Sequence, residues 1–209
     1  MHKGFRLAEA VRTCPRVTLA GVWYRSVDGE LFRRFYDARE PMRPLSGLGA
    51  PRGGARFTPK DGPASLYVAE DVETSNREGL QVTLGTPVKP PMGVTRTVYT
   101  VKVQLTDVLD LREPAVHALL GTSAAELTLA WRYRKDGKMP ATQRLGSVAA
   151  NMGVEGLIFQ STKGAGACLV VFIDNLTASS LLEVSDGKNI LDRLPARGRG
   201  SARSARHPA

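Results

Sequence analysis

The stretch RTVYTVKVQL at residues 96–105 constrains the fold of this chain more than any other. Thr97, Tyr99, Val101, Val103 and Leu105 occupy alternate positions, so a β-strand would place all five on one face. A helix would scatter them around its circumference. A strand with one apolar face needs neighbours along its edges and a layer over that face. The rest of the chain must therefore supply both. The DVLDL stretch at residues 107–111 reads as the turn that closes this strand.

Shorter apolar runs supply the neighbours. Strands are predicted over residues 21–25, 65–69, 156–160 and 168–173. Three amphipathic helices supply the covering layer. The first has Pro114 in its opening turn and ends at Gly121. The second opens on a capping box, Ser123 with Glu126, and runs to about Tyr133. The third is capped by Thr142, presents Leu145, Val148, Ala149 and Met152 on one face, and stops at Gly153. A further short helix is predicted from an Asp71 cap to a Gly79 stop. Pro15 breaks any helix that Leu7 to Val11 might begin. Strands gather early and late with helices between them, which points to an α+β fold without the regular alternation of a doubly wound sheet.

Composition narrows the class. At 209 residues, 42% apolar and 23% charged, the chain suits one soluble domain. No apolar run approaches the roughly 20 residues that span a bilayer, and residues 1–14 lack a signal peptide's apolar block. A cytoplasmic protein without membrane contact is expected. Cys14 and Cys168 are isolated, and His2, His117 and His207 are scattered, so neither a disulfide nor a metal site is predicted. The net charge of +9 is uneven. Residues 193–209 hold five arginines and no acid, which leaves +4 on residues 1–192. The organisation expected is one domain over 1–192 and a basic, disordered tail over 193–209.

Chemistry concentrates in residues 53–78, GGARFTPKDGPASLYVAEDVETSNRE. The Gly53-Gly54 pair suits a turn with positive φ, and residues 59–63 suit a second turn. Arg56, Tyr67 and Glu78 are the groups needed to hold an anionic ligand and act on a bond beside it. Arg25 closes an earlier strand and Ser161 follows a later one. Each has an ordinary reading as well: a surface ion pair for Arg25, a core aromatic for Tyr67, a solvated helix residue for Glu78 and a loop serine for Ser161. A long irregular loop is expected after the short FRRFY segment at residues 32–36, running to about residue 52, and loops of that length are often functional. Three apparent motifs fail. Gly47-Leu-Gly49 lacks a third glycine and a following helix, residues 161–166 lack the phosphate-loop spacing, and Ser147 sits in a helix pattern rather than a nucleophile elbow. Trp131 reads as a packing residue.

Residues 17–176 resemble the RES family, the toxin half of bacterial toxin–antitoxin pairs named for an Arg, a Glu and a Ser. Val22 to Arg25 resembles the family's early strand. GGARF at 53–57 resembles its Gly-Gly-Arg-Trp motif, with Ala55 inserted, Phe57 in place of Trp and Thr58 in place of Asn. Glu78 follows Tyr67 by eleven residues, as in the family pattern. Gly153 to Ser161 resembles the Gly-x-x-Gly-Leu strand ending in the family serine. The resemblance implies an ADP-ribosyltransferase-like fold, with small mixed or antiparallel sheets and helices around them. It implies NAD⁺ as substrate, with no bound cofactor, and cleavage of the nicotinamide–ribose bond by water or phosphate.

Under that resemblance Glu78, Arg25 and Ser161 are the expected catalytic residues, and Arg25, Arg56, Tyr67 and Ser161 are expected to bind NAD⁺. The implied partner is a helix-turn-helix (Xre-type) antitoxin that blocks the cleft in a hetero-oligomer, and a homodimer is a further expectation. The nearest rival is a mono-ADP-ribosyltransferase that modifies a protein. A rival of another class, a basic nucleic-acid-binding module, is suggested by the charge. The concentration of that charge in the tail argues against it, as does the lack of a reading motif. No specific nucleic-acid binding is expected.

Overall fold

The computed structural model describes residues 1–35, 43–89, 92–132 and 137–185. The basic tail predicted at 193–209 and the Tyr133 end of the second helix lie outside the described residues.

The alternating segment forms β3 (Arg96–Asp110), and the five predicted residues are buried along one face. The strand does not turn at residue 107. Val108, Leu109 and Asp110 continue it by pairing in parallel with Gly156, Leu157 and Ile158 of β4 (Gly156–Gln160). A strand end with a ladder partner has its backbone groups satisfied and gains nothing by turning. The burst at residues 21–25 is the middle of a longer strand, β1 (Val17–Asp28). It runs antiparallel to β3 from Leu19 opposite Leu105 to Asp28 opposite Arg96.

β2 (Ser65–Ala69) and β5 (Ala167–Phe172) complete the inner strands. A short β6 (Leu181–Val184), which periodicity did not reveal, pairs with residues 101–104. The sheet order is β1-β2-β5-β4-β3-β6, and an additional β1–β3 pairing closes five strands into a ring. The closure is thin, because β1 and β2 meet through the single pair Tyr24 and Ala69.

Alternation along the strands makes two cores. One joins Trp23, Val27, Leu66, Val68, Tyr99, Leu105, Ile158 and Leu169 with Phe32 and Phe35. The other uses the opposite faces, with Ala69, Leu157, Phe159, Cys168, Val170 and Phe172. It packs beneath α1 (Gly4–Thr13), α5 (Pro114–Leu120) and α7 (Ala141–Asn151).

Helix boundaries show where local signals were overridden. α1 does form, burying Leu7, Ala10 and Val11, and ends at Cys14 directly before Pro15. α2 (Gly29–Arg34) comes before the stretch read as one irregular loop, and the five-residue α3 (Gly49–Gly53) interrupts it. A helix thus does follow Gly47-Leu-Gly49, although Pro51 and Arg52 lie inside it and no strand precedes it. Gly54 takes the predicted positive φ, at 71°. Asp71 caps α4 (Val72–Leu80) as expected, accepting from the Thr74 N–H at 2.7 Å. The helix stops at Gln81 in the left-handed region, not at Gly79. Gly79 serves packing instead: a Cβ there would lie 2.0 Å from Arg96 Nη2. α6 (Ala124–Thr128) is only five residues long. Its Ser123 cap forms, but Glu126 turns to the N-terminal amine at 2.8 Å, leaving half a capping box. α7 begins at Ala141 after Pro140, so Thr142 is a buried helix residue rather than the cap.

Glu155, 1% exposed, ties β3 to the segment after β5. Its carboxylate accepts from the backbone N–H of Thr106 (2.5 Å) and Asp107 (3.0 Å) and from the hydroxyls of Thr177 and Ser180. Burial alone would push its pKa up, but the hydrogen bonds from Ser180, Asp107, Thr106 and Thr177 hold it below the ordinary glutamate value. A depressed folded-state pKa contributes stability above the unfolded value, and that contribution fades as pH falls through the folded one. Glu155→Gln should therefore cost roughly 1–3 kcal/mol near neutral pH. The gap from wild type should shrink below about pH 4. Denaturant unfolding at several pH values would show this, and a pH-independent gap would contradict it.

Candidate active site

Where β1 and β2 splay apart, a cavity of about 630 Å³ opens. It falls within the range of small-molecule sites. Arg25, Arg56, Tyr67 and Glu78 all line it. They arrive from β1, the turn after α3, β2 and α4.

Glu78 is presented by a helix that is anchored elsewhere. Ser26 of β1 donates to Asn76 Oδ1 at 2.7 Å. Arg77 reaches the Glu73 carboxylate and the carbonyls of Thr83 and Thr86, each within 2.9 Å. The Glu78 Oε1 accepts from Ser161 Oγ at 2.6 Å. Ser161 itself is buried and lies behind Glu78, outside the cavity lining. Its oxygen accepts from the N–H groups of Lys163 (3.0 Å) and Gly164 (2.9 Å). With both lone pairs occupied, its hydroxyl proton is left to donate, and it goes to Glu78. The geometry thus fits a serine that orients the carboxylate.

The glycines around Ser161 serve that placement. A Cβ on Gly164 would lie 2.5 Å from Thr74 Oγ1, and one on Gly166 would lie 2.1 Å from Asp71 Oδ2. They let the turn close against the start of α4, where the Gly166 N–H donates to Thr74 Oγ1 at 3.1 Å. The phosphate-loop composition of residues 161–166 therefore has a packing cause.

Tyr67 combines its two sequence readings. Its hydroxyl accepts from the Phe57 N–H at 2.9 Å and shares a 2.9 Å hydrogen bond with Thr58. Burial pushes the phenol well above its ordinary value despite those bonds. Its ring meets Phe159 edge to face at 6.5 Å and borders the cavity. The hydroxyl is thus a latch on the Arg56 turn, and the ring is the part available to a ligand. The inserted Ala55 is absorbed in that turn by a two-way backbone bridge with Thr58.

The two arginines differ. Arg56 Nη1 donates to the carbonyls of Leu127 (2.8 Å) and Leu129 (3.0 Å), and Nη2 donates to Thr162 Oγ1 at 3.1 Å. These bonds use three of five N–H groups, leaving Nε and one Nη2 hydrogen. Burial lowers its pKa, and the nearby charge of Glu78 partly offsets this. Arg25 is half-buried, and its Nη1 is fully buried with no hydrogen-bond partner among the described residues. A buried guanidinium nitrogen without a partner is costly and favours an anionic ligand.

Three further cavity residues escaped sequence reasoning. Thr162 meets Arg56. Cys168 Sγ lies 4.0 Å from Glu78 Oε1, and burial followed by that neighbouring charge keeps it a thiol. Trp131, expected to be a packing residue, is half-buried and lines the cavity. Among the described residues there is no group of side chains that could hold a metal ion, and both cysteines are free and buried. No described helix is long and apolar enough to cross a membrane.

No curated protein matches the chain. The chain is similar in fold to a chain of the crystal structure of the M. tuberculosis MbcT–MbcA toxin–antitoxin complex. The TM-score is 0.61 at 18% identity, over 90% of this chain and 97% of that one. The model of the RES domain matches residues 30–188, which begins after Arg25 and includes Arg56, Tyr67, Glu78 and Ser161. A match over that much of its length shows that the chain belongs to the RES domain family.

Proposed function

We propose that this protein is the toxin of a toxin–antitoxin pair and cleaves the nicotinamide–ribose bond of NAD⁺. The observation that carries this reading is the Ser161-oriented Glu78 carboxylate in the same cavity as the unpartnered Arg25 Nη1. Breaking the C–N glycosidic bond sends its electron pair onto the pyridinium ring, so nicotinamide leaves neutral. The ribose is left with oxocarbenium character, as in glycoside hydrolysis. A fixed carboxylate beside that carbon stabilises the developing charge and needs little reorganisation to do so. Water or phosphate then adds to the ribose carbon. The guanidinium of Arg25 takes pyrophosphate oxygens, the free N–H groups of Arg56 assist, and the Tyr67 ring borders the nicotinamide. The fold similarity to a toxin–antitoxin complex supports an antitoxin as partner, and the resemblance to the RES family implies a helix-turn-helix protein that covers this cleft.

The test is to incubate purified, antitoxin-free protein with NAD⁺ and separate the products by chromatography. Release of nicotinamide is the expected result, and undiminished NAD⁺ would overturn the reading. Free ADP-ribose identifies hydrolysis, its phosphate identifies phosphorolysis, and protein-bound ADP-ribose identifies transfer. Arg25→Ala should raise KM for NAD⁺ by about tenfold or more, with a smaller change in kcat, because a charge-assisted phosphate contact is lost in ground and transition states alike. An unchanged KM would remove Arg25 from phosphate binding.

A further inference from the structure

A succession of contacts links a carboxylate, a guanidinium and an indole of the cavity wall. The succession starts where Ser161 holds Glu78. The next residue, Thr162, is hydrogen-bonded to Arg56, and Arg56 is bonded in turn to the Leu129 carbonyl. Two residues further along, Trp131 lines the same cavity. A Cβ on Gly54, at the base of the Arg56 turn, would lie 3.7 Å from the Trp131 ring. Carboxylate, guanidinium and indole therefore follow one another through these contacts. In NAD⁺ the nicotinamide ribose, the pyrophosphate and the adenine follow one another in the same way.

Trp131 is also prepared as a platform. The Arg132 guanidinium carbon lies 4.5 Å from its ring centroid and covers one face of the indole. The carbonyls of Leu127 and Leu129, clamped by Arg56, fix the backbone that carries it. An indole stacked by a guanidinium on one side is suited to stack a base on the other.

Resting on the NAD⁺ reading of the site, we infer that Trp131, backed by Arg132, is the adenine-binding platform and sets the preference for adenine dinucleotides. The nicotinamide end meets Tyr67 and Phe159, at the Glu78 side of Arg56. Trp131 is then a specificity-determining residue with no part in bond cleavage.

The test uses the full chain and ADP-ribose, which carries adenine and both phosphates but no nicotinamide. By calorimetry, Trp131→Ala should weaken ADP-ribose binding by about tenfold or more, and Trp131→Phe, which keeps an aromatic face, should restore most of it. ADP-ribose should also quench the indole fluorescence of the wild type, and Trp131→Phe should lose that quenching while Trp23 still emits. Affinity within twofold of wild type in Trp131→Ala overturns the assignment, as does equal weakening in both variants or quenching that persists without Trp131. A wild type that does not bind ADP-ribose also overturns it. Should ADP-ribose bind as described while NAD⁺ stays intact, the base platform stands and only the cleavage reading fails.

Discussion

Glu78→Ala is expected to lower NAD⁺ cleavage by about a thousandfold while leaving the fold intact. Removing one preorganised electrostatic group from a reacting centre typically costs about a hundred- to a thousandfold. This carboxylate is the acid that lines the cavity beside Arg25 and Arg56. The fold should tolerate the loss, because α4 is held by its Asp71 cap, the Ser26–Asn76 hydrogen bond and the Arg77 anchor, none of which uses Glu78. Glu78→Gln sharpens the result. Its amide oxygen can still accept from Ser161, so an equal loss of activity assigns the effect to the missing charge and not to a collapsed turn. Nicotinamide release and a thermal melt, measured together, decide the matter. Full turnover in Glu78→Ala would sink the mechanism.

Gly146→Ala should cost about 3 kcal/mol or more, a large share of a typical domain's stability. Helix propensity argues the other way, since alanine inside a helix is about 1 kcal/mol better than glycine. The tertiary contact wins. A Cβ on Gly146 would lie 2.7 Å from the Phe57 carbonyl carbon and still closer to its oxygen. That carbonyl cannot move away cheaply. The Phe57 N–H is bonded to the Tyr67 hydroxyl, and its fully buried ring sits 4.7 Å from Phe159. Gln143, one turn earlier on α7, donates to the Ala55 carbonyl at 2.9 Å. The substitution would push on the turn that carries Arg56, so NAD⁺ turnover should fall together with the denaturation midpoint. A midpoint equal to wild type would show that the turn is softer than its contacts imply.

The sequence by itself determined the elements whose signals are local. β2, β4 and α5 have the bounds that turn residues and apolar runs imply, and β3 buries the five residues its alternation selects. The Asp71 cap and the positive φ of Gly54 follow from the same short-range chemistry. The resemblance to the RES family was legible because ordered spacings of Arg, Tyr, Glu and Ser survive in the linear chain.

Only the tertiary structure decided the rest. The full length of β1 and the existence of β6 depend on β3 as a ladder partner, and pairing leaves no mark within a four-residue strand. Gly79, Gly146, Gly164 and Gly166 are required by atoms distant in sequence, so the helix stop read at Gly79 does not form there and the glycines of residues 161–166 serve packing. Ser161 acquired its orienting geometry because two backbone donors occupy its lone pairs, and Trp131 reached the cavity because Arg56 clamps the carbonyls before it. The physical reason is the same throughout. Periodicity and capping arise between neighbours on the chain, while the direction of a hydrogen bond, the closeness of two backbones and the walls of a cavity arise between residues that only folding brings together.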